Sequence, residues 1–281
     1  MSERCADLSL AAGEELGATA VTAREWLLVE VPGSWPRDVA DDGALPAHAR
    51  EAVSRWLATT PASRLQFIRR PGRAADRLVV FRVRSDESEG EVRRIELRAH
   101  ADLASLDLEA AGEPVATSLV LVCGHGTRDR CCALRGTAAF AVLAHRLGEE
   151  ELWISSHQGG HRFAANVLVL PAGVQLGRVE AADAPSLVAR ALAGRIDLEH
   201  YRGRTTYEPV VQAAELAVRR ATGLDGVDEL RVEVSDGEAV SFTTWNGDRH
   251  AAVVEETTGP SVPASCGAEP APQRAFRARL L

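Results

Sequence analysis

The sequence predicts an α/β fold with a mixed sheet, because two segments share one order of elements. Residues 26–98 are predicted as strand, helix, strand and two antiparallel strands, and residues 118–194 follow the same order before a final helix. This order is the skeleton of a thioredoxin-like fold. No sequence identity links the two segments, so we interpret the amino-terminal block as a second, degenerate copy of that fold.

The first block is predicted from its turns and its spacing. Residues 26–31 form a strand ended by Pro32 and Gly33. Residues 47–57 form a helix, since Val53, Trp56 and Leu57 lie at nearly helical spacing. Further strands are predicted at residues 65–69, 78–83 and 92–97.

The second block opens with a mostly apolar run at residues 118–123, which is typical of a strand buried on both faces. Residues 133–147 are predicted as a helix closed by Gly148. Its expected buried stripe contains Leu134, Ala138, Ala141, Val142 and His145. Strands at 151–155, 166–170 and 174–179 and a helix at 184–193 complete the block.

The last third predicts a small α/β appendage. It contains an amphipathic helix at 208–222, a meander of strands at 230–234, 240–244 and 251–255, and a loose tail from Gly259 that is rich in Pro, Ala, Ser and Gly. We therefore divide the chain into residues 1–112, 113–197 and 198–281, and the middle thioredoxin-like block carries the clustered cysteines and the paired histidines.

Composition limits the classes of function. The 281 residues are 46% hydrophobic and carry a net charge of -8, which argues against a nucleic-acid partner. No apolar run approaches the roughly 18 residues of a membrane span, and the first residues do not resemble a secretory signal. We expect a cytoplasmic protein with no membrane partner, and the sequence does not predict its oligomeric state.

Cysteine usage points to metal or redox chemistry. Five cysteines are present, an odd number, and three of them are clustered. This pattern fits a reducing compartment better than a disulfide framework. Cys5 and Cys266 lie in the terminal segments and are expected to be free thiols.

The clustered cysteines flank one loop. Cys123 ends the predicted buried strand, and Cys131 and Cys132 begin the helix that follows. Two thiols at the mouth of a strand and at a helix start can point into the same space, and a helix start favours the thiolate. Thiolate is the form that binds metal.

A histidine pair follows the next predicted strand. His157 and His161 enclose Gly159 and Gly160, which favour a tight turn and close approach to an inorganic centre. Two thiolates and two imidazoles complete a four-ligand set. Such a set holds either a zinc ion or a [2Fe-2S] cluster, and the spacing alone does not choose between them.

Several neighbours are candidates for supporting roles. His125 is either a third imidazole ligand or a hydrogen-bond donor beside the site. Arg128 and Arg162 either stabilise a negatively charged centre and attract an acidic redox partner, or form solvated ion pairs. Asn166 is expected to orient a ligand loop by hydrogen bonding.

Three sequence strings resemble those of the sucrase/ferredoxin-like family, whose members contain a thioredoxin-like ferredoxin domain. They are CGHGTRDRCC, HQGGHRFAANVLVLP and GVQLGRV, at residues 123–132, 157–171 and 173–179. The resemblance implies a [2Fe-2S] cluster held by Cys123, Cys132, His157 and His161. The family spacing favours Cys132 over Cys131.

These observations predict an electron carrier rather than a catalyst with its own substrate. No Walker loop, dinucleotide fingerprint or nucleophile elbow is visible, and no catalytic residue is predicted. An unidentified redox protein would be the donor or acceptor. The alternatives are a structural zinc-binding domain and, since Cys131 and Cys132 are adjacent, a thiol oxidoreductase; the C-x-x-C motif of the latter is absent.

Overall fold

Two sheets organise the fold in a computed structural model that describes residues 4–39, 43–72 and 76–281. Within these residues the helices are α1 (Cys5–Ala11), α2 (Ala47–Thr59), α3 (Thr137–Leu143), α4 (Ala184–Leu192) and α5 (Pro209–Thr222). The strands are β1 (Glu25–Glu30), β2 (Ser63–Arg69), β3 (Leu78–Arg84), β4 (Glu91–Leu97), β5 (Glu113–Val115), β6 (Leu119–Cys123), β7 (Leu152–Ser155), β8 (Val167–Leu170), β9 (Val174–Leu176), β10 (Tyr201–Arg204), β11 (Leu230–Asp236), β12 (Ala239–Thr244), β13 (Arg249–Pro263) and β14 (Pro270–Leu280).

The large sheet contains the predicted repeat. Its order is β10-β9-β8-β6-β7-β2-β1-β3-β4-β5. In the first unit β1 pairs parallel with β2 and antiparallel with β3, which pairs with β4. In the second unit β6 pairs parallel with β7 and antiparallel with β8, which pairs with β9. The mixed α/β thioredoxin-like fold class is therefore confirmed.

The two units meet edge to edge, where β2 pairs antiparallel with β7. A third segment extends the same sheet, because β10 pairs with β9. Strands from all three predicted domains thus share one sheet. The boundaries at residues 112 and 197 remain predictions.

Strand β6 is buried on both faces, as its apolar run predicts. Val120 and Val122 pack in a cluster with residues of α2, α3 and α4, whereas Leu119 and Leu121 pack in a cluster on the opposite face. This alternation follows from the two-residue repeat of a strand. The ligand-bearing end of β6 is consequently held from both sides.

The helix after the cysteine loop exposes the stripe that the sequence predicted to be buried. Leu134, Ala138, Ala141, Val142 and His145 are all exposed. The buried face instead runs through Cys132, Gly136, Ala139, Phe140 and Leu143. Small residues and a π-helical turn at Cys132–Gly136 allow this face to approach the sheet closely. Such π-helical turns are frequent at functional sites.

The carboxy-terminal tail is ordered, so the expectation of a loose tail is wrong. Strand β14 pairs antiparallel with β13 over most of its length, which completes a sheet of order β11-β12-β13-β14. Proline and glycine in this segment obscure the alternation, and the strand is stabilised by its pairing with β13 and by the packing of Phe276 and Ala278 against a core cluster that includes residues of α5. The turn between β13 and β14 carries Cys266.

Candidate metal centre

The two ligand loops leave the large sheet at one edge. Cys123, the last residue of β6, pairs in register with Ser155, the last residue of β7. The carboxyl ends of neighbouring parallel strands open into a shared crevice, where binding sites are usual in α/β sheets. The helix after the first loop approaches this crevice closely, because a Cβ atom at Gly136 would collide with the Cys123 carbonyl.

The four predicted ligands lie together in this crevice. Cys123 and Cys132 lie in one buried cluster, and the interaction with Cys132 lowers the pKa of Cys123. Cys132 Sγ also lies 3.5 Å from His161 Nδ1. The His157 and His161 rings stack with centroids 3.9 Å apart and an interplanar angle of 19°. Cys123, Cys132 and His161 are buried, and His157 is partly exposed.

The adjacent cysteines point to different neighbours. Cys132 faces His161, whereas Cys131 Sγ lies 3.4 Å from Cys266 Sγ. Consecutive residues at a helix start project about 100° apart, so they cannot share one set of partners. Cys132 is accordingly the sulfur that accompanies Cys123 and the histidines.

Cys5 and Cys266 form no disulfide, but they are not isolated thiols. Both sulfurs lie beside Cys131 and the buried carboxylate of Asp129. No local pattern predicts this group, because its members lie far apart in the sequence.

His125 positions His157 and does not face the other ligands. Its Nε2–H donates to the Pro36 carbonyl at 2.8 Å, and its Nδ1 accepts the His157 backbone N–H at 3.2 Å. Both ring nitrogens therefore have partners. Burial lowers the pKa of His125, which keeps the ring in the neutral form that this pairing requires.

The segment between the two histidines is a tight turn, as its glycines predict. Gly159 and Gly160 have φ angles of 86° and 66°, in the left-handed region that glycine favours. Arg202 donates to the Gly159 carbonyl at 3.0 Å and to Asn166 Oδ1 at 2.8 Å. Asn166 Nδ2 in turn donates to the Gly160 carbonyl at 3.0 Å, so Asn166 orients this loop as expected.

Two arginines beside the site, the partly exposed Arg64 and the buried Arg202, were not predicted. Arg64 and Gln66 on β2 donate to the His157 carbonyl at 3.2 and 3.0 Å. Burial lowers the pKa of Arg202 to about 9, which still leaves its guanidinium charged near pH 7. Neither arginine lies in a recognisable motif, because each comes from a strand far away in sequence.

The two predicted arginines differ in their surroundings. Arg128 pairs with the exposed Asp38 at 2.8 Å, near the surface opening beside His157. Arg162 pairs with Glu14 at 2.7 Å and stacks on Phe163 at 4.6 Å. The charge of Arg162 is thus compensated by a nearly buried carboxylate.

The protonation states of Cys123 and of the two imidazoles suit metal binding, whereas the hydrogen bond to Cys123 and burial raise the pKa of Cys132. Donation by Cys132 lowers the pKa of Cys123, and the backbone N–H groups of Gln158 and His125 act in the same direction. Burial lowers the pKa of His157 to about 2 and that of His161 to about 4. Both imidazoles are therefore neutral near pH 7, and neutral imidazole is the ligand form.

Two groups of side chains could hold a metal ion within the described residues. In each group all donor atoms lie within 4.8 Å of one another. One contains Cys5, Asp129, Cys131 and Cys266, and the other contains Asp129, Cys132 and His161. Asp129 belongs to both.

The chain is similar to one known protein family and, over part of its length, to several individual proteins. The sequence model of the sucrase/ferredoxin-like family matches residues 16–203. The chain is 35% identical over 100 residues to altered inheritance of mitochondria protein 32 of Clavispora lusitaniae and 32% identical over 110 residues to the protein of that name from Eremothecium gossypii. These matches cover 33% and 34% of the chain and 37% and 35% of the relatives, so the chain spans about a third of their length.

No helix among the described residues has the length and apolar character needed to cross a membrane.

Removing the His125 side chain should weaken metal binding without unfolding the protein. In His125→Ala the His157 main chain loses its acceptor, and loss of such a supporting contact typically costs about 10–100-fold in metal affinity. We expect the chelator concentration that removes half of the bound metal to fall by about that factor. His145→Ala, at an exposed position, is the control. Equal chelator resistance in both variants would contradict a positioning role for His125.

Proposed function

The chain belongs to the sucrase/ferredoxin-like family, and on this basis we propose that it is an electron-transfer protein with a [2Fe-2S] cluster held by Cys123, Cys132, His157 and His161. The observation that carries the proposal is the convergence of two thiols and two neutral imidazoles at one sheet edge. Mixed thiolate and imidazole ligation is one of the known donor sets for this cluster.

The spread of the donor atoms favours a binuclear centre over a single zinc ion. Tetrahedral zinc with bond lengths of about 2.0–2.3 Å requires all donor atoms to lie about 3.3–3.8 Å apart. The set Cys123, Cys132, His157 and His161 is not among the groups of described residues whose donors all lie within 4.8 Å of one another. The four residues fit the larger inorganic group better.

A [2Fe-2S] cluster supplies one-electron transfer. The chain sets how readily the electron is accepted. Two neutral imidazoles in place of thiolates leave the donor set with two fewer negative charges, and the partly exposed Arg64 and the buried Arg202 add positive charge nearby. Both effects favour electron uptake and raise the potential above that of an all-cysteine site.

His157 is the point at which an electron would leave or enter. It lines a surface depression of about 290 Å³, and the charged residues around that depression are Arg37, Arg64, Arg128 and Asp38. With three arginines and one aspartate, the lining of this depression has a net positive charge, although the whole chain has a net charge of -8. An acidic redox protein is therefore the partner we propose.

A cytoplasmic location is part of the same proposal, since five cysteines without a disulfide fit a reducing compartment. The adjacent pair Cys131 and Cys132 does not support the thiol-oxidoreductase alternative, because the two sulfurs face different partners.

The two adjacent cysteines provide a test of the ligand set. Cys132→Ser should abolish the reddish-brown colour and the EPR signal of the reduced, anaerobically purified protein, because it removes a thiolate that faces His161. Cys131→Ser should retain both signals, since this sulfur lies in the other group. A colourless wild-type protein that contains zinc and no iron would support the structural zinc alternative instead.

Electron uptake should be coupled to proton uptake at an outer imidazole nitrogen. In the oxidised state a ligating imidazole would lose its outer N–H proton in the mildly alkaline range, and gain of an electron makes the site more negative, which raises the pKa of that N–H so that the proton is taken up again. We expect the midpoint potential to fall as pH rises through the neutral and mildly alkaline range, by about 59 mV per pH unit for one proton per electron. Potentiometric titration over this range measures it. A potential independent of pH would remove the coupling from the proposal.

A further inference from the structure

A second cluster of thiols lies beside the proposed electron-transfer site and is not used by it. It contains Cys5, Cys131 and Cys266 together with the carboxylate of Asp129. We propose that these four side chains bind one zinc ion, which fixes the two ends of the chain to the cysteine loop.

The distances between the donor atoms are those of a single tetrahedral ion. Cys5 Sγ lies 3.6 Å from both Cys131 Sγ and Cys266 Sγ, and the latter two lie 3.4 Å apart. Asp129 Oδ1 lies 3.8 Å from Cys5 Sγ and 3.5 Å from Cys266 Sγ. With a Zn–S bond of about 2.3 Å, a tetrahedron has S–S edges of about 3.8 Å and S–O edges of about 3.6 Å.

The Asp129 carboxylate is oriented toward the sulfurs by the backbone. Its Oδ1 accepts the Cys131 N–H at 2.7 Å, and its Oδ2 accepts the Cys266 N–H at 2.7 Å. The side chain is buried beside three thiols. A buried carboxylate next to potential thiolates is costly without a cation, and a divalent ion removes that cost.

The thiols are hydrogen-bonded to one another. The Cys5 thiol donates to Cys131 Sγ at 3.6 Å, and this donation lowers the pKa of Cys131. The same hydrogen bond and burial raise the pKa of Cys5. The thiol protons would leave when the ion binds. Three thiolates and one carboxylate then carry the same total charge as the four thiolates of a structural zinc site.

The donors come from three separate parts of the chain. Cys5 begins α1, Asp129 and Cys131 lie in and at the end of the loop before α3, and Cys266 lies in the turn between β13 and β14. An ion at this point would hold α1 and the β13–β14 turn against the loop that also presents Cys132. Because Cys132 is not one of the four donors, the zinc ion would have this structural role whichever metal Cys132 binds.

A disulfide is the competing state of these thiols. The three sulfur pairs lie at non-bonded distances, well beyond the roughly 2.05 Å of a disulfide. A disulfide between two of these cysteines would also leave the third thiol and the Asp129 carboxylate without a common cation. Mass spectrometry of the anaerobic protein detects such a disulfide.

Metal analysis of the full-length protein tests the site. Iron and zinc per chain would be measured after anaerobic purification, and zinc again after reconstitution, in the wild type and in Cys266→Ser, His161→Ala and Ser265→Ala. We expect about one zinc per wild-type chain and its loss in Cys266→Ser, since three remaining donors bind far more weakly. His161→Ala should lose iron and keep zinc, which separates this proposal from that of the electron-transfer site. Ser265→Ala, next to Cys266 in the same turn, should keep both metals.

Cobalt provides a readout that does not depend on metal content alone. Co²⁺ bound in place of zinc should give the intense visible bands of tetrahedral thiolate coordination in the wild type and in Ser265→Ala, but not in Cys266→Ser. Circular dichroism of each variant checks that it is folded. The proposal is overturned if the reconstituted wild type binds less than about a tenth of an equivalent of zinc, if Cys266→Ser binds as much zinc as the wild type, or if mass spectrometry finds a disulfide among these cysteines in the anaerobic protein.

Discussion

The parallel pairing of β6 with β7 is the constraint on which the candidate centre depends. It places Cys123 opposite Ser155, so the cysteine loop and the histidine turn start from adjacent points of one sheet edge. Gly136 then lets the helix that carries Cys132 approach the Cys123 carbonyl. A shift of one residue in this register would turn Cys123 to the opposite face of the sheet and separate it from the histidines.

The amino-terminal unit contributes support rather than ligands. It repeats the topology of the second unit, but its residues serve to fix the histidine turn. Arg64 and Gln66 hold the His157 carbonyl, and the Pro36 carbonyl holds the ring of His125. The repeat therefore has a physical role at the site. A second unit alone would lack three of the hydrogen bonds that position His157 and His125.

Much of the fold follows from local sequence patterns, and the features that were predicted wrongly or not at all share one cause. Strands with apolar runs or clear alternation were predicted within a few residues of their bounds, and the ligand loops were recognised because they lie next to those strands. The exposed face of α3, strand β14 and the thiol group around Cys266 depend on contacts between distant segments. The same is true of Arg202, whose role appears only once β10 lies beside the histidine turn. Patterns along one sequence carry no information about such pairings.

Electron transfer by this chain requires that two imidazoles and two thiolates share one redox-active centre. Pulsed EPR of the reduced protein tests it most directly, because nitrogen ligands couple to the unpaired electron and sulfur ligands do not give that coupling. We expect two strong nitrogen couplings in the wild type and one in His157→Cys, in which the new thiolate can keep the centre assembled. An unchanged nitrogen spectrum in His157→Cys, or no paramagnetic signal from a reduced protein that contains iron, would contradict ligation of one redox-active centre by both imidazoles.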